Sequence, residues 1–574
     1  MFLKSKITYL IGHIKENRIF QIFIIVLFIG AALRFYGVHN AENTDEYNEV
    51  IEALRVASGE FNLNRWHKKG YQNILALEFG VYYVAGYLLN AFSGPMDFAA
   101  KIIGNMEPLF LIGRYTTATM GTLSILLLYL IGNRLYNQRV ALTASAFFAV
   151  TSVHVWTSHL VGTDVPLTFF FLLSLYFISR FYTSGKIFDY FLAALFAAVA
   201  INMKIIGVGV GLIFITAHIL KCKKDGIKLF HYFYSKEIFY SFVAFVFGYA
   251  ISNPAILVGF KEWSMSFLWR YGIYTNVVDD VPFMGGSPYY TYLTLLYKEF
   301  GLPLFLTTIT GLIYAFYRRT HWDYVFVIFV AGIYLILANS SFLVQNRYMM
   351  IMLPVLLLLS ARCIDAFICN YASLEKRQLV SILIITSVLS AYPLINSMKY
   401  VITLTKENTS KLSKRWIEEN IPAGSKLLID AGRTIITSGP KLNQSREKLE
   451  EKLNLIKNLK KGETFDSSQV KIVDSYSSIY FELMLKNMPT ITYNIISTEL
   501  GRKIESAAYY KENSYDYFIH DEGLSFRIND PVWREKYPKS AIFYDSIDDE
   551  FNLVKIFHRS QTRSGPNIKV YKIR

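Results

Sequence analysis

The sequence predicts a polytopic α-helical membrane protein that ends in a separate α/β domain outside the cytoplasm. Three observations carry this. The 574 residues are 53% hydrophobic and only 18% charged, with a mean hydropathy of +0.29, too apolar for a soluble chain of this length. Apolar runs of ~20 residues, the length that crosses a bilayer, recur up to about residue 398. From residue 406 onward the runs shorten and polar residues rise. The domains expected are therefore 1–405 in the membrane and 406–574 outside it.

The first span is 19–36, broken only by Gln21 and Arg34. Lys4, Lys6, Lys15 and Arg18 precede it, so its start lies in the cytoplasm by the positive-inside rule. The segment is too long for a signal peptide and no small-x-small cleavage site follows it. A loop of roughly 70 residues follows, long against the usual connection. Within it 46–58 and 74–92 read as amphipathic or interfacial helices. Further spans are expected at 108–131, 140–156, 165–178, twice within 187–220, and at 238–256, 291–317, 324–337, 348–368 and 379–395. Basic turns at Arg134 and Arg139, Arg180 and Lys186, Lys221 to Lys224, Arg318-Arg319 and Lys376-Arg377 mark the cytoplasmic side. Segment length gives about eleven helices. An odd number places the N-terminus in and the C-terminus out.

In the tail, 412–420 reads as an amphipathic helix stopped by Ile421-Pro422-Ala423-Gly424. Residues 426–430, 516–520 and 569–573 read as strands, 446–461 and 480–486 as helices. The net charge of +15 belongs to membrane topology, so no nucleic acid is expected as a partner. Cys222, Cys363 and Cys369 lie in or beside membrane segments and imply no disulfide framework in the tail.

Charges that cytoplasmic anchoring does not explain gather at one face. The pair Asp45-Glu46 follows the first span outwards. Arg114 opens the second, Asp164 stands at the outer start of the fourth, Lys204 at the outer turn between the fifth and sixth, and Arg347 at the outer start of the tenth. Each alone fits a helix cap or a snorkelling side chain. Together they suit a lipid phosphate held by cations while a carboxylate takes a proton from an incoming hydroxyl.

The ordered motifs resemble a known family. They are the acid pair, 110–130 (FLIGRYTTATMGTLSILLLYL) with Gly132-Asn133-Arg134-Leu135-Tyr136, 154–167 (HVWTSHLVGTDVPL), 347–354 (RYMMIMLP), 412–426 (LSKRWIEENIPAGSK) and 565–571 (GPNIKVY). The chain is similar to the GT-C membrane glycosyltransferases, in the protein O-mannosyltransferase and aminoarabinose-transferase-like branch. The resemblance implies inverting transfer of a sugar from a polyprenyl-phosphate donor to an acceptor hydroxyl on the outer face of the cell membrane. It implies Asp45 as catalytic base, with Glu46 beside it and Asp164 as the second acidic position. Lys204 and Arg347, with Arg114, match cations near the donor phosphate. Relatives carry a proline-rich stretch in the first loop, whose counterpart here is 77–83 (LEFGVYY) without prolines. Glu78, Tyr82 and Tyr83 are accordingly the expected acceptor or sugar residues. A divalent metal at Asp45 and Asp164 fits the acids, but no dedicated ligand set is written in the sequence. Expected partners are the lipid-linked donor, membrane lipids and a protein, lipid or glycan acceptor. The rival readings are a transporter or flippase, which would show internal repeats and midplane charges, and a non-catalytic scaffold.

Overall fold

The computed structural model describes residues 17–42, 44–59, 69–228, 234–261, 264, 287–339, 344–371, 374–431, 439–460, 478–524 and 528–574. The charged start of the chain (Lys4, Lys6, Lys15) and much of the expected 257–290 loop lie outside them. The helices are α1 (Arg18–Phe35), α2 (Thr44–Ala57), α3 (Gly70–Leu88), α4 (Pro95–Gly104), α5 (Glu107–Leu135), α6 (Gln138–Ala149), α7 (Ser152–Ser158), α8 (Asp164–Ser184), α9 (Ile187–Met203), α10 (Val210–Lys224) and α11 (Lys236–Ser252). Then come α12 (Pro288–Arg318), α13 (His321–Ala338), α14 (Leu353–Tyr371), α15 (Glu375–Thr403), α16 (Thr409–Asn420), α17 (Arg446–Lys460), α18 (Ser478–Lys486) and α19 (Pro538–Glu550). The strands are β1 (Lys426–Ile429), β2 (Asn494–Ser497), β3 (Tyr517–Asp521), β4 (Asn552–Phe557) and β5 (Ile568–Lys572).

The chain forms two compact bodies. The first comprises Met1–Val38, Arg55–Ala76 and Gly113–Val401; the second comprises His39–Leu54, Leu77–Ile112 and Ile402–Arg574. Among the described residues, eight helices are long and apolar enough to cross a membrane, and α6 and α7 qualify together as a pair bent by 61°. The protein is thus a multi-pass membrane protein. The eleven expected segments lie mainly on helix, but α9 is a shorter apolar helix and α11 (Lys236–Ser252) is not among the helices long and apolar enough to cross.

The α6–α7 bend shows how broken backbone is tolerated at membrane depth. The last carbonyls of a helix and the first amides of the next lack helical partners. In hydrocarbon such groups must be satisfied internally. Arg34 of α1 donates through Nη1 to the carbonyl of Ala149 (2.9 Å) and through Nη2 to that of Phe148 (3.3 Å). Its Nη2 also reaches His154 Nδ1 at 2.9 Å, which must accept because a guanidinium only donates. On the other side Glu299 of α12 accepts from the Ser152 hydroxyl (2.9 Å) and the Val153 amide (2.8 Å) at the start of α7. Glu299 reaches that point because α12 breaks at Gly301, where φ is +69°. A Cβ there would lie 2.7 Å from the Tyr392 ring, so only glycine fits.

The opposite helix ends carry paired charges. Arg139 Nε lies 2.7 Å from Asp365 Oδ1, Arg180 Nε 3.2 Å from Asp189 Oδ1, and Arg362 pairs with Asp323. These carboxylates are buried. These arginines therefore hold helices together.

The second body is built on a five-stranded sheet in the order β2-β1-β3-β5-β4. β1 runs parallel to β2 and β3, while β5 runs antiparallel to β3 and β4. Alternating side chains feed two cores. Leu427 and Ile429 pack with Ile417 of α16, and Leu428 packs with Phe518, Tyr571 and Phe543 of α19. A further cluster joins Leu449, Leu453 and Ile456 of α17 to Phe481 of α18 and Tyr47 of α2.

Candidate active site

In the first body three of the expected charges meet. Asp164 is the first residue of α8, where the helix dipole favours a carboxylate and Pro166 suits the first turn. Lys204 caps the end of α9 in extended conformation (φ −161°, ψ 141°). Asn202 fixes that end by donating to the Tyr249 carbonyl (2.9 Å) and the Ser252 hydroxyl (2.7 Å) of α11. Arg347 lies in the 3-10 turn Asn346–Met349 that leads into α14.

Lys204 Nζ contacts Asp164 Oδ1 at 2.5 Å, and Arg347 Nε lies 4.0 Å from Asp164 Oδ2. The Tyr348 ring packs against both cations, its centroid 4.3 Å from Lys204 Nζ and 5.9 Å from the Arg347 guanidinium carbon. Gln345 Oε1 accepts from Arg347 Nε at 2.6 Å. The three charged side chains are 8% (Asp164), 13% (Lys204) and 20% (Arg347) exposed. Among these three side chains one carboxylate faces two partly buried cations. That is a setting for an anion. It does not fit a divalent metal at Asp164, whose oxygens already face both cations. Among the described residues no three His, Cys, Asp or Glu side chains converge as a ligand set.

Arg114 is buried in α5, 1% exposed, and its Nη1 lies 3.5 Å from the Val38 carbonyl. Beside it on α5, Thr117 meets the Tyr71 hydroxyl at 2.6 Å. His159 Nε2 lies 3.0 Å from the Tyr36 carbonyl. Arg114 and His159 thus reach the backbone where the first span ends, whereas Tyr71 and Thr117 meet at the Gly113 carbonyl of α5.

The acid pair belongs to the second body. Asp45 and Glu46 occupy the first turn of α2, where negative charge is favoured. Asp45 is exposed and Glu46 is buried, 1% exposed. The expected first-loop stretch is helical, within α3. Glu78 is half-buried there. Tyr82 stands edge-on to Phe92 and Phe98 (5.7 and 6.1 Å between centroids), and Tyr83 lies 5.3 Å from Phe98. Both tyrosines thus belong to an aromatic cluster with the α4 region.

Two side chains have a structural part that the sequence reading did not assign. Arg34 and Glu299 both lie inside apolar runs, and both pin α7, which leads into the Asp164 loop. A glutamate followed by Gly301 and Pro303 was the available signal for a broken span.

This architecture is that of the GT-C membrane glycosyltransferases. Among solved structures, the chain is similar to the Archaeoglobus fulgidus oligosaccharyltransferase in its apo form, with a TM-score of 0.52 and 12% identity over 96% of this chain and 74% of that one. It is also similar to ArnT from Cupriavidus metallidurans bound to undecaprenyl phosphate, with a TM-score of 0.50 and 11% identity over 97% of both chains. More particularly, residues 96–249 match the family model of dolichyl-phosphate-mannose-protein mannosyltransferases. That range holds Arg114, Asp164 and Lys204. No curated protein matches the chain.

Proposed function

We propose that this protein is an inverting glycosyltransferase that moves a sugar from a polyprenyl-phosphate donor to an acceptor hydroxyl at the extracytoplasmic face of the cell membrane. The observation that carries the reading is the Asp164–Lys204–Arg347 cluster within a GT-C fold. Lys204 and Arg347 bind the donor phosphate and stabilise its charge as it leaves. Asp164 holds both cations in place. Asp45 accepts the proton of the acceptor hydroxyl, whose oxygen attacks the anomeric carbon. The bond from that carbon to the phosphate oxygen breaks, and its electron pair departs with polyprenyl monophosphate. Glu46, buried in the same helical turn, is assigned to the catalytic group beside Asp45. Arg114 is assigned to the donor side, where it fixes the end of the first span seven residues before Asp45. Glu78, Tyr82 and Tyr83 are assigned to the sugar and acceptor.

The match of residues 96–249 favours mannose as the sugar. The experiment is a panel of polyprenyl-phosphate sugars presented to the protein in nanodiscs, with polyprenyl phosphate release read by mass spectrometry. Release from one donor, dependent on an added acceptor, is expected. A transporter or a scaffold would release none.

A further inference from the structure

The second body holds a cavity of about 310 Å³ that the chemistry proposed above does not use. One side is basic: Lys411 and Lys414 of α16, Lys441 from the segment before α17, and Lys452 of α17. Phe110, Phe481 and Met484 supply an apolar side.

Two of the lysines are neutralised. Lys411 Nζ lies 2.8 Å from Glu107 Oε1, and Lys441 Nζ lies 2.7 Å from Glu42 Oε1 and 5.1 Å from the centre of the Phe110 ring. The other two are balanced less closely. Lys414 has Glu418 at 3.8 Å, one turn along the helix, a loose ion pair too long for a hydrogen bond. Lys452 has no carboxylate partner among the described residues. Burial first, and then Lys448 on the same helix, push its pKa down to about 8 against a smaller opposing effect of Glu451. A half-buried ammonium with only a weak counter-charge costs stability unless something anionic meets it. Among the side chains that line the cavity, four lysines face two glutamates, a surplus that matches a dianion. A phosphate monoester, at about −1.5 to −2 near neutral pH, has that charge, whereas a carboxylate has half of it.

We propose that this cavity binds a phosphate monoester group, held by Lys414 and Lys452, with any apolar part of the ligand against Phe110, Phe481 and Met484. The site is independent of the transferase reading. Two sources could supply the group, a soluble phosphate or the headgroup of an anionic lipid.

The test uses the full chain in nanodiscs. One arm titrates inorganic phosphate into phosphatidylcholine nanodiscs by calorimetry. The other compares retention of phosphatidic acid with that of phosphatidylcholine by native mass spectrometry. Lys414→Met and Lys452→Met are each expected to weaken the interaction about tenfold, the loss of one charge-assisted contact. Lys452→Arg should restore it. Lys414 is only half-buried and lies outside the cores of the second body, so its variant keeps the fold even if Lys452→Met does not. Phosphate binding lost in the variants identifies a soluble ligand. Selective phosphatidic acid retention, lost in the variants, identifies a lipid headgroup. Absence of both, or binding unchanged in Lys414→Met and in folded Lys452→Met, overturns the proposal.

Discussion

Replacing Lys204 by methionine separates a structural ion pair from a catalytic one. Lys204 Nζ and Asp164 Oδ1 are 2.5 Å apart, with side chains 13% and 8% exposed. Removing the lysine leaves the Asp164 carboxylate largely buried, with Arg347 4.0 Å away as the remaining cation. Breaking such a pair costs about 3–5 kcal/mol, most of it the penalty of the orphaned charge. Removing both partners is close to neutral, so Asp164→Asn with Lys204→Met should recover most of that loss. Activity should behave differently. A lysine that stabilises the departing phosphate contributes about 10²–10³-fold, and the double variant cannot regain it. Unfolding in detergent would be followed by intrinsic fluorescence, and turnover by release of polyprenyl phosphate. The expected pattern is stability lost in Lys204→Met and largely regained in the double variant, with turnover down in both. Wild-type turnover in the stable double variant would refute the phosphate-binding role.

Two further predictions concern other groups. Arg34→Met removes the donor shared by Phe148, Ala149 and His154, and should destabilise the first body by about 3 kcal/mol or more, measured by detergent unfolding; an unchanged midpoint would remove Arg34 from the account of the α6–α7 bend. Lys452 is held at about 8, below the ordinary lysine value, so between pH 8 and 10.5 the unfolded chain binds more protons and stability rises with pH. The other charged groups facing its cavity are Glu42, Glu107, Lys411, Lys414 and Lys441. Proteolysis of the second body at pH 7, 8.5 and 10 should therefore slow with pH in wild type relative to Lys452→Met; equal slopes would contradict the burial argument.

The membrane helices were legible because apolar length is a strong signal, and Asp164, Lys204 and Arg347 because cytoplasmic anchoring does not account for them. Arg34 and Glu299 were hidden for the converse reason. A single charge inside an apolar run reads as an interruption, and its partners, backbone groups of α6 and α7, are more than a hundred residues away. Asp189, Asp323 and Asp365 went unread because the orientation rule counts cations and ignores acids. In the tail, β1, β3 and β5 carry enough buried aliphatic residues to be seen. β2 is four residues long, and the first four residues of β4 are exposed. Such edge strands owe their conformation to pairing with a neighbour, which local composition does not encode.

The most direct test of the transferase account compares wild type with Asp45→Asn on the active donor in nanodiscs, with acceptor present. The account predicts that the variant folds, binds donor and releases polyprenyl phosphate about 10²–10⁴-fold more slowly, the usual contribution of a general base. Release at the wild-type rate from folded Asp45→Asn would contradict it.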